Sequence, residues 1–130
     1  METTGATTAE RLSGPGLRTF FRIAEAWRLT IAEQQKLLGG VAKQTVYNWK
    51  ARPQEARLTS DQLDRISYVL GIYKALNILF TRPEQADTWL RRENSAPPFG
   101  GRPAADLVFS GRMEDLMRVR RYLDGVRSVW

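Results

Sequence analysis

Apolar residues recur at intervals of three and four along most of this chain, and they do not alternate with polar residues as a half-buried strand requires. The first such stripe comprises Leu17, Phe20, Phe21, Ala24 and Trp27. This spacing places apolar side chains on one side of an α-helix, which can then bury them against other helices. We therefore predict an all-α fold, with an N-terminal helix-turn-helix module followed by a small helical domain.

Breaks between the stripes divide the chain into three parts. Residues 1–16 are rich in Thr, Ala, Gly and Pro with little periodicity, so we interpret them as a flexible leader. The helix-turn-helix module is predicted over residues 17–58, because Pro53 ends its last helix. The second domain is predicted over residues 59–130, and Thr59 begins a capping-box pattern at its first helix.

The chain contains no cysteine and no histidine among its 130 residues. This composition removes thiol nucleophiles, imidazole bases, disulfides, and zinc or haem sites built on those ligands. Its acidic pairs, Asp61 with Asp64 and Glu114 with Asp115, lie in the first turns of predicted helices, where the helix dipole accounts for them. We expect no enzymatic activity, no cofactor and no bound metal.

Charge and hydropathy limit the kinds of partner that we expect for this chain. No apolar run reaches the length of a membrane span, and the N-terminus lacks the features of a secretory signal. We therefore expect a cytoplasmic protein with no membrane partner. Lys and Arg number 20 against 14 Asp and Glu, and the resulting net charge of +6 favours an anionic partner, nucleic acid first.

The helix-turn-helix candidate consists of a short helix after the capping residue Thr30, a turn at Gly39-Gly40 and a third helix over residues 42–50. The two glycines suit a positive φ and a sharp reversal of the chain. On a helical wheel, one side of the third helix faces inward, and it comprises Ala42, Val46 and Trp49. The outward and flanking residues are the candidate DNA contacts, namely Lys43, Gln44, Thr45, Tyr47, Asn48, Lys50 and Arg52.

The residue types on that outward face match the chemistry of a major groove. Asn and Gln amides can pair with adenine edges through two hydrogen bonds, and Lys side chains can reach phosphates. Five basic residues and one acidic residue lie from Lys36 to Arg57, so the local net charge is +4. The alternative is that this face is polar and solvated, with no nucleic acid on it.

Three longer segments carry a family resemblance: LLGGVAKQTVYNWK, LTSDQLDRISYVLGIYKALNILF, and the C-terminal segment that begins NSAPPFGGRPAADLVFSGRM. From residue 17 to the C-terminus, the chain resembles the Xre/MbcA/ParS antitoxin family. The more specific matches lie in the second half, and they are Asp64-Arg65-Ile66, Leu70-Gly71-Ile72, Trp89, Asn94, Phe99-Gly100-Gly101, Pro103, Gly111 and residues 119–124. Two departures are visible. The turn at Gly39-Gly40-Val41 is one residue fuller, and Ala42 replaces the usual Ser cap, which weakens N-capping by about 1 kcal/mol.

The resemblance implies the antitoxin of a type II toxin-antitoxin system. Such an antitoxin binds and inhibits a RES-domain toxin, an enzyme that consumes NAD or transfers ADP-ribose, and represses its own operon by binding operator DNA. The resemblance also implies a homodimer within a larger toxin-antitoxin assembly, with residues 59–130 as the toxin-binding and dimerisation domain. The toxin-binding residues that it suggests are Asn94, Phe99, Gly100, Arg118, Arg121, Tyr122, Arg127 and Trp130. The alternative function is a stand-alone Xre-like transcriptional regulator without a toxin partner.

Several residues of the second domain have two interpretations each. Arg, Tyr and Trp dominate interface hot spots, so we expect Trp130 with Arg127 to approach the toxin's active-site cleft and block NAD entry. Trp130 could instead fold back on its own domain or be disordered. Phe99 is either a toxin contact or an inward anchor between turning glycines, and Trp89 is interpreted as core. The apolar stretch 69–80 is either core or a dimer seam.

Overall fold

Helices form nearly all of the regular structure in this computed structural model, which describes residues 8–128. The α-helices are α1 (Thr8–Ala26), α2 (Ile31–Leu37), α3 (Lys43–Ala51), α4 (Ser60–Leu79), α5 (Pro83–Thr88), α6 (Ala105–Val108) and α7 (Met113–Arg127). Short 3-10 helices follow α3 and α5, at Pro53–Glu55 and Trp89–Arg91. Within residues 8–128 no strand forms, and an isolated β-bridge joins Glu93 to Pro103, so the predicted all-α fold is confirmed. None of the described helices is long and apolar enough to cross a membrane.

The first helix begins earlier than predicted, because residues 8–16 are helical rather than part of a flexible leader. Ser13 is buried, and its Oγ accepts a hydrogen bond from the Leu58 amide at 3.4 Å. A Cβ on Gly14 would lie 3.3 Å from the backbone of the 3-10 helix after α3, so this glycine permits a close approach between the two. The glycine that suggested flexibility therefore serves packing, and residues 1–7 of the predicted leader lie outside the described residues.

Capping boxes begin two of the helices. At α2 the Thr30 Oγ accepts from the Glu33 amide at 3.1 Å, and the Glu33 carboxylate accepts from the Thr30 amide at 2.9 Å. At α4 the same two bonds join Thr59 and Gln62, at 3.1 and 2.9 Å. Each box satisfies amides that the first helical turn leaves without partners. The predicted caps at Thr30 and Thr59 are confirmed.

The long helix α4 is the centre of the molecule, because it packs against both α1 and α7. Its residues Val69, Ile72 and Leu76 are fully buried. One continuous apolar core extends from α1 through α4 to α7. The apolar stretch 69–80 is therefore largely core, whereas Ile78 is 53% exposed.

Gly71 lets α7 lie close to α4. A side chain at this position would overlap the guanidinium group of Arg120, which donates to the Asp124 carboxylate at 3.0 Å. Any larger residue at position 71 would have to displace Arg120 from α4. The close contact with Arg120 thus explains why a glycine stands in the middle of α4.

Candidate nucleic-acid interface and partner surface

Two successive glycines close the turn between α2 and α3. Gly39, with φ of 90°, donates its amide to the Lys36 carbonyl at 3.1 Å. Gly40, with φ of 84°, donates to the Gln35 carbonyl at 2.8 Å, and together these bonds form a Schellman cap. The Gln35 side chain adds a third bond, to the Val41 carbonyl at 3.0 Å. Backbone geometry and a side-chain bond therefore fix the angle between α2 and α3.

One side of α3 packs against the core. Val46 is fully buried and Trp49 is half-buried, as predicted. The prediction that Ala42 also faces inward is wrong, because Ala42 is exposed. It is the N-cap residue, with φ of −65° and ψ of 151°, so its backbone is extended and a helical wheel does not describe it.

The opposite side of α3 is polar. Lys43, Gln44, Tyr47 and Asn48 are exposed, and Thr45 is half-buried. The Gln44 amide nitrogen donates to the Asn48 amide oxygen at 3.0 Å, one turn further along the helix. This bond leaves Asn48 with two amide hydrogens and Gln44 with its amide oxygen. The pair can therefore offer a donor and an acceptor side by side, the pattern complementary to the adenine edge.

The two basic residues near the end of α3 lie on different flanks. Arg52 lines a groove with Asn48, and its guanidinium lies 3.8 Å from the exposed Glu55 carboxylate. Lys50 lines another groove, together with Arg28, two residues after α1, and the acidic Glu25. The structure therefore brings Asn48 and Arg52 together, and it groups Lys50 with a basic residue that the sequence did not single out.

Three aromatic rings hold the loop of residues 94–102 against α7. Phe99 meets Trp89 and Tyr122 edge to face, with ring centroids 5.7 and 5.1 Å apart. Trp89 stacks on Tyr122 at 6.5 Å. Phe99 is 5% exposed, so the structure corrects its predicted role as a partner contact: Phe99 is the inward anchor of the loop. Trp89 is half-buried against the core, in line with its interpretation as core.

The other two loop residues predicted as contacts have different surroundings. The Asn94 side chain accepts from the Ala96 amide at 3.0 Å, and the Asn94 carbonyl accepts from the Gly101 amide at 2.7 Å. Asn94 therefore shapes the loop from within. Gly100 is exposed with φ of 61°, a conformation that favours glycine, so its backbone is open to a partner.

The outer side of α7 carries two exposed arginines, Arg118 and Arg121, about one helical turn apart. Arg127 and Tyr122 are half-buried. Trp130 lies outside the described residues. Of the predicted contacts on this helix, the structure thus brings Arg118 and Arg121 together on one exposed face.

An ion pair that the sequence did not indicate joins the two halves of the chain. Arg91 donates through both terminal guanidinium nitrogens to the Glu33 carboxylate, at 2.8 and 2.9 Å. These hydrogen bonds lower the pKa of Glu33, against the opposing effect of burial. Arg91 also lies over the Phe109 ring, 5.2 Å from its centroid. Glu33 fits a capping pattern on its own and Arg91 is 58 residues away, so no local signal connects them.

Acidic side chains in the described part of the chain offer little to a metal ion. No group of three or more is close enough to bind one within residues 8–128. Asp61 accepts from Arg65 Nε at 2.8 Å, and Glu114 accepts from Arg112 Nε at 2.7 Å. These carboxylates therefore serve local ion pairs.

Comparisons with known proteins match two domains in this chain. Residues 8–71 match the antitoxin Xre-like helix-turn-helix domain, and residues 75–128 match the antitoxin Xre/MbcA/ParS C-terminal toxin-binding domain. The chain is also 46% identical over 112 residues to the uncharacterized protein y4oB of Sinorhizobium fredii (strain NBRC 101917 / NGR234), which covers 86% of this chain and 84% of that protein. The border between the two matched domains falls inside α4.

Proposed function

The chain belongs to the Xre/MbcA/ParS antitoxin family, and from that premise we propose that its partner is a RES-domain toxin acting on NAD and that it represses its own operon. The observation that carries the proposal is the presence of both domains on one chain, with the polar side of α3 exposed. A stand-alone transcriptional regulator would have no use for a toxin-binding domain.

Operator binding is proposed for the outward face of α3. In a major groove, the amides of Asn48 and Gln44 would read base edges, while Lys43 and Arg52 at the two ends of the helix reach phosphates. Lys50, grouped with Arg28 on the other flank, would reach a neighbouring stretch of the DNA backbone. The remaining proposed contacts are Thr45 and Tyr47.

Toxin binding is proposed for the outer side of α7 and the loop beside it. Arg118, which lies 3.9 Å from the Asp115 carboxylate, and Arg121 present two guanidinium groups on one exposed face, and Gly100 is exposed in that loop. Planar guanidinium groups pair well with carboxylates, which makes arginine frequent among interface hot spots. We propose that Arg127 and Trp130 reach the toxin's active-site cleft and block the entry of NAD. Tyr122 and Asn94 support this surface from beneath.

A homodimer within a larger toxin-antitoxin assembly completes the proposal. Ile78 is exposed on α4 next to the half-buried Leu79 and Phe80. A second copy covering this patch would remove apolar surface from water. Analytical ultracentrifugation of the Ile78→Glu variant tests the seam: a monomer supports it, and an unchanged dimer contradicts it.

Base recognition and phosphate contact can be separated by two variants on α3. Asn48→Ala should cost about 1 to 3 kcal/mol of binding free energy on the preferred sequence and little on scrambled DNA. Lys43→Ala should weaken binding to both duplexes alike and reduce the slope of affinity against salt by about one ion. The measurement is fluorescence anisotropy with a labelled duplex from directly upstream of the gene and a scrambled control. Equal losses on both duplexes for both variants would contradict this face assignment.

Co-expression with the product of the adjacent gene tests the toxin partner. Size-exclusion chromatography with mass detection should give a stable complex, and Arg118→Glu/Arg121→Glu should dissociate it while leaving DNA binding intact. Arg22→Glu, which reverses an exposed arginine on α1 outside the proposed surface, is the matched control and should leave the complex intact. If the wild-type chain elutes alone and still binds the upstream duplex, the stand-alone regulator is the better function.

A further inference from the structure

The helix α2 has only seven residues, which is too few for it to be stable without contacts to the rest of the protein. Helices shorter than about 12 residues are marginal in water and depend on tertiary contacts. The buried residues of α2 are Gln34 and Leu37. Since α2 leads through the glycine turn into α3, whatever fixes the two ends of α2 also fixes the angle of the recognition helix.

The N-terminal end of α2 is held by Glu33, whose carboxylate has two tasks. It accepts from the Thr30 amide at 2.9 Å as the second bond of the capping box, and it accepts both hydrogen bonds from Arg91. The corresponding residue of α4 is Gln62, which accepts from the Thr59 amide at the same 2.9 Å. A neutral amide therefore suffices for capping in this chain. The negative charge of Glu33 is favoured by the dipole of α2 and pairs with Arg91.

The Arg91 side chain is 44% exposed, but contacts on its own domain hold it in place. It lies in the 3-10 helix Trp89–Arg91, where the neighbouring Leu90 is 1% exposed. Its guanidinium lies over Phe109, which is itself buried. A bidentate pair between a guanidinium and a carboxylate fixes orientation as well as distance.

The C-terminal end of α2 lies close to a second arginine, Arg65, which contacts the toxin-binding domain. A side chain on Gly39 would lie 3.5 Å from Arg65 Nε, so the glycine turn is close to Arg65. Arg65 is largely buried and donates to the Gly111 carbonyl at 2.9 Å. Both ends of α2 are therefore next to arginines that contact the segment matched as the toxin-binding domain.

We propose that Arg91, a residue of the toxin-binding domain, is a positioning residue for DNA recognition. Its bidentate ion pair with Glu33 fixes the position of α2 and therefore the angle of α3. The inference rests on the proposed operator binding. The toxin-binding domain then contributes to DNA recognition without touching DNA. Arg91 is three residues before Asn94, so the same segment continues into the loop proposed to meet the toxin.

Three variants of the full-length chain test this inference. Arg91→Gln removes the ion pair, and Glu33→Gln removes it while keeping the capping box. Arg102→Gln is the matched control, because it breaks an exposed pair with Asp106 of 2.7 Å that lies in the same groove and makes no contact with Glu33. Hydrogen-exchange mass spectrometry reports the protection of α2, α3 and α7. Fluorescence anisotropy with the duplex from upstream of the gene reports affinity.

We expect both Glu33→Gln and Arg91→Gln to speed amide exchange in α2 and α3 and to weaken duplex binding, each roughly 3- to 10-fold. Exchange in α7 should stay unchanged, which excludes general destabilisation. The double variant should be close to the weaker of the two single variants, because the ion pair is already lost in each. Unchanged exchange in α2, or faster exchange with full duplex affinity, overturns the inference. Failure of the wild-type chain to bind the duplex would instead contradict the proposed function, since the exchange measurement needs no DNA.

Discussion

At the residue scale, Arg28 occupies a backbone conformation that suits glycine. Its φ is 54°, and its amide donates to the Glu25 carbonyl at 3.1 Å while the Leu29 amide donates to the Ala24 carbonyl at 2.9 Å. This is the same Schellman cap that ends α2, where glycine takes the positive φ. Arg28 therefore bears a conformational cost that Gly39 does not.

Replacing this arginine by glycine should stabilise the free protein. Arg28→Gly is expected to raise the free energy of unfolding by about 0.5 to 1 kcal/mol, because relief of the left-handed conformation exceeds the added chain entropy. Urea denaturation followed by circular dichroism measures the change. Gly39→Ala is the opposing control and should lower stability by about 1 to 2 kcal/mol. A stability loss in Arg28→Gly would contradict this account and assign the side chain a structural contact.

Asp87 makes stability depend on pH. Its Oδ1 is buried without a hydrogen-bond partner among the described residues, and burial first, then repulsion from Glu84, raises its pKa. Because folding raises the pKa of this acid, its ionised form opposes folding at neutral pH, and the penalty is relieved as pH falls through the folded-state pKa. Asp87→Asn should therefore be more stable than wild type at pH 7, with an advantage that shrinks on acidification. Thermal unfolding from pH 3 to pH 7 measures this, and a constant difference across the range would contradict it.

At the element scale, α3 is one of four α-helices within residues 8–128 that begin without a side-chain cap, together with α5, α6 and α7. Ala42 has the extended backbone of an N-cap but makes no side-chain cap bond, whereas α2 and α4 both have capping boxes. Ala42→Ser should add the missing bond and stabilise the fold by about 1 kcal/mol. The measurement is again the midpoint of urea unfolding, with Thr59→Ala as a matched control that should lose a similar amount. No gain in Ala42→Ser would mean that the turn holds α3 too far from cap geometry.

Helices were predictable from the sequence where one local signal decides them. Thr30 and Thr59 mark helix starts because a hydroxyl can cap only nearby amides, and the buried stripe of α4 follows from its period. The start of α1 was missed because the glycines before residue 17 serve packing. The inward position of Phe99 was left open because its partners, Trp89 and Tyr122, are far apart along the chain.

The residues of the candidate sites could be predicted where they follow from a local pattern. The outward face of α3 follows from its helical period, since a wheel assigns every residue that has helical geometry. The prediction for Ala42 was wrong because this residue lies just outside the helix. The contact between Glu33 and Arg91 could not be predicted, because it depends on tertiary folding alone. Local chemistry thus indicated the surfaces, and long-range contacts determine how they are held.

At the scale of the whole molecule, the two domains share one structure. The helix-turn-helix match ends at residue 71 and the toxin-binding match begins at residue 75, both inside α4. A single apolar core runs across that border. Cutting the chain there would divide α4, separate its first part from α7 and expose buried residues such as Val69 and Ile72.

Unfolding should therefore be a single cooperative transition. Circular dichroism and tryptophan fluorescence should give coincident urea curves, since Trp49 lies in the first domain and Trp89 in the second. A fragment of residues 1–74 should lack a cooperative transition altogether. Two separated transitions in the full-length chain would show that the domains fold independently.

We propose that this antitoxin silences an enzyme that acts on NAD. The most direct measurement is a titration of the purified partner toxin with this chain while NAD turnover is followed. We expect turnover to fall to the background rate at a fixed molar ratio, and a chain lacking residues 128–130 to bind the toxin but leave turnover active. Undiminished NAD turnover at saturating wild-type chain would contradict the proposed inhibition.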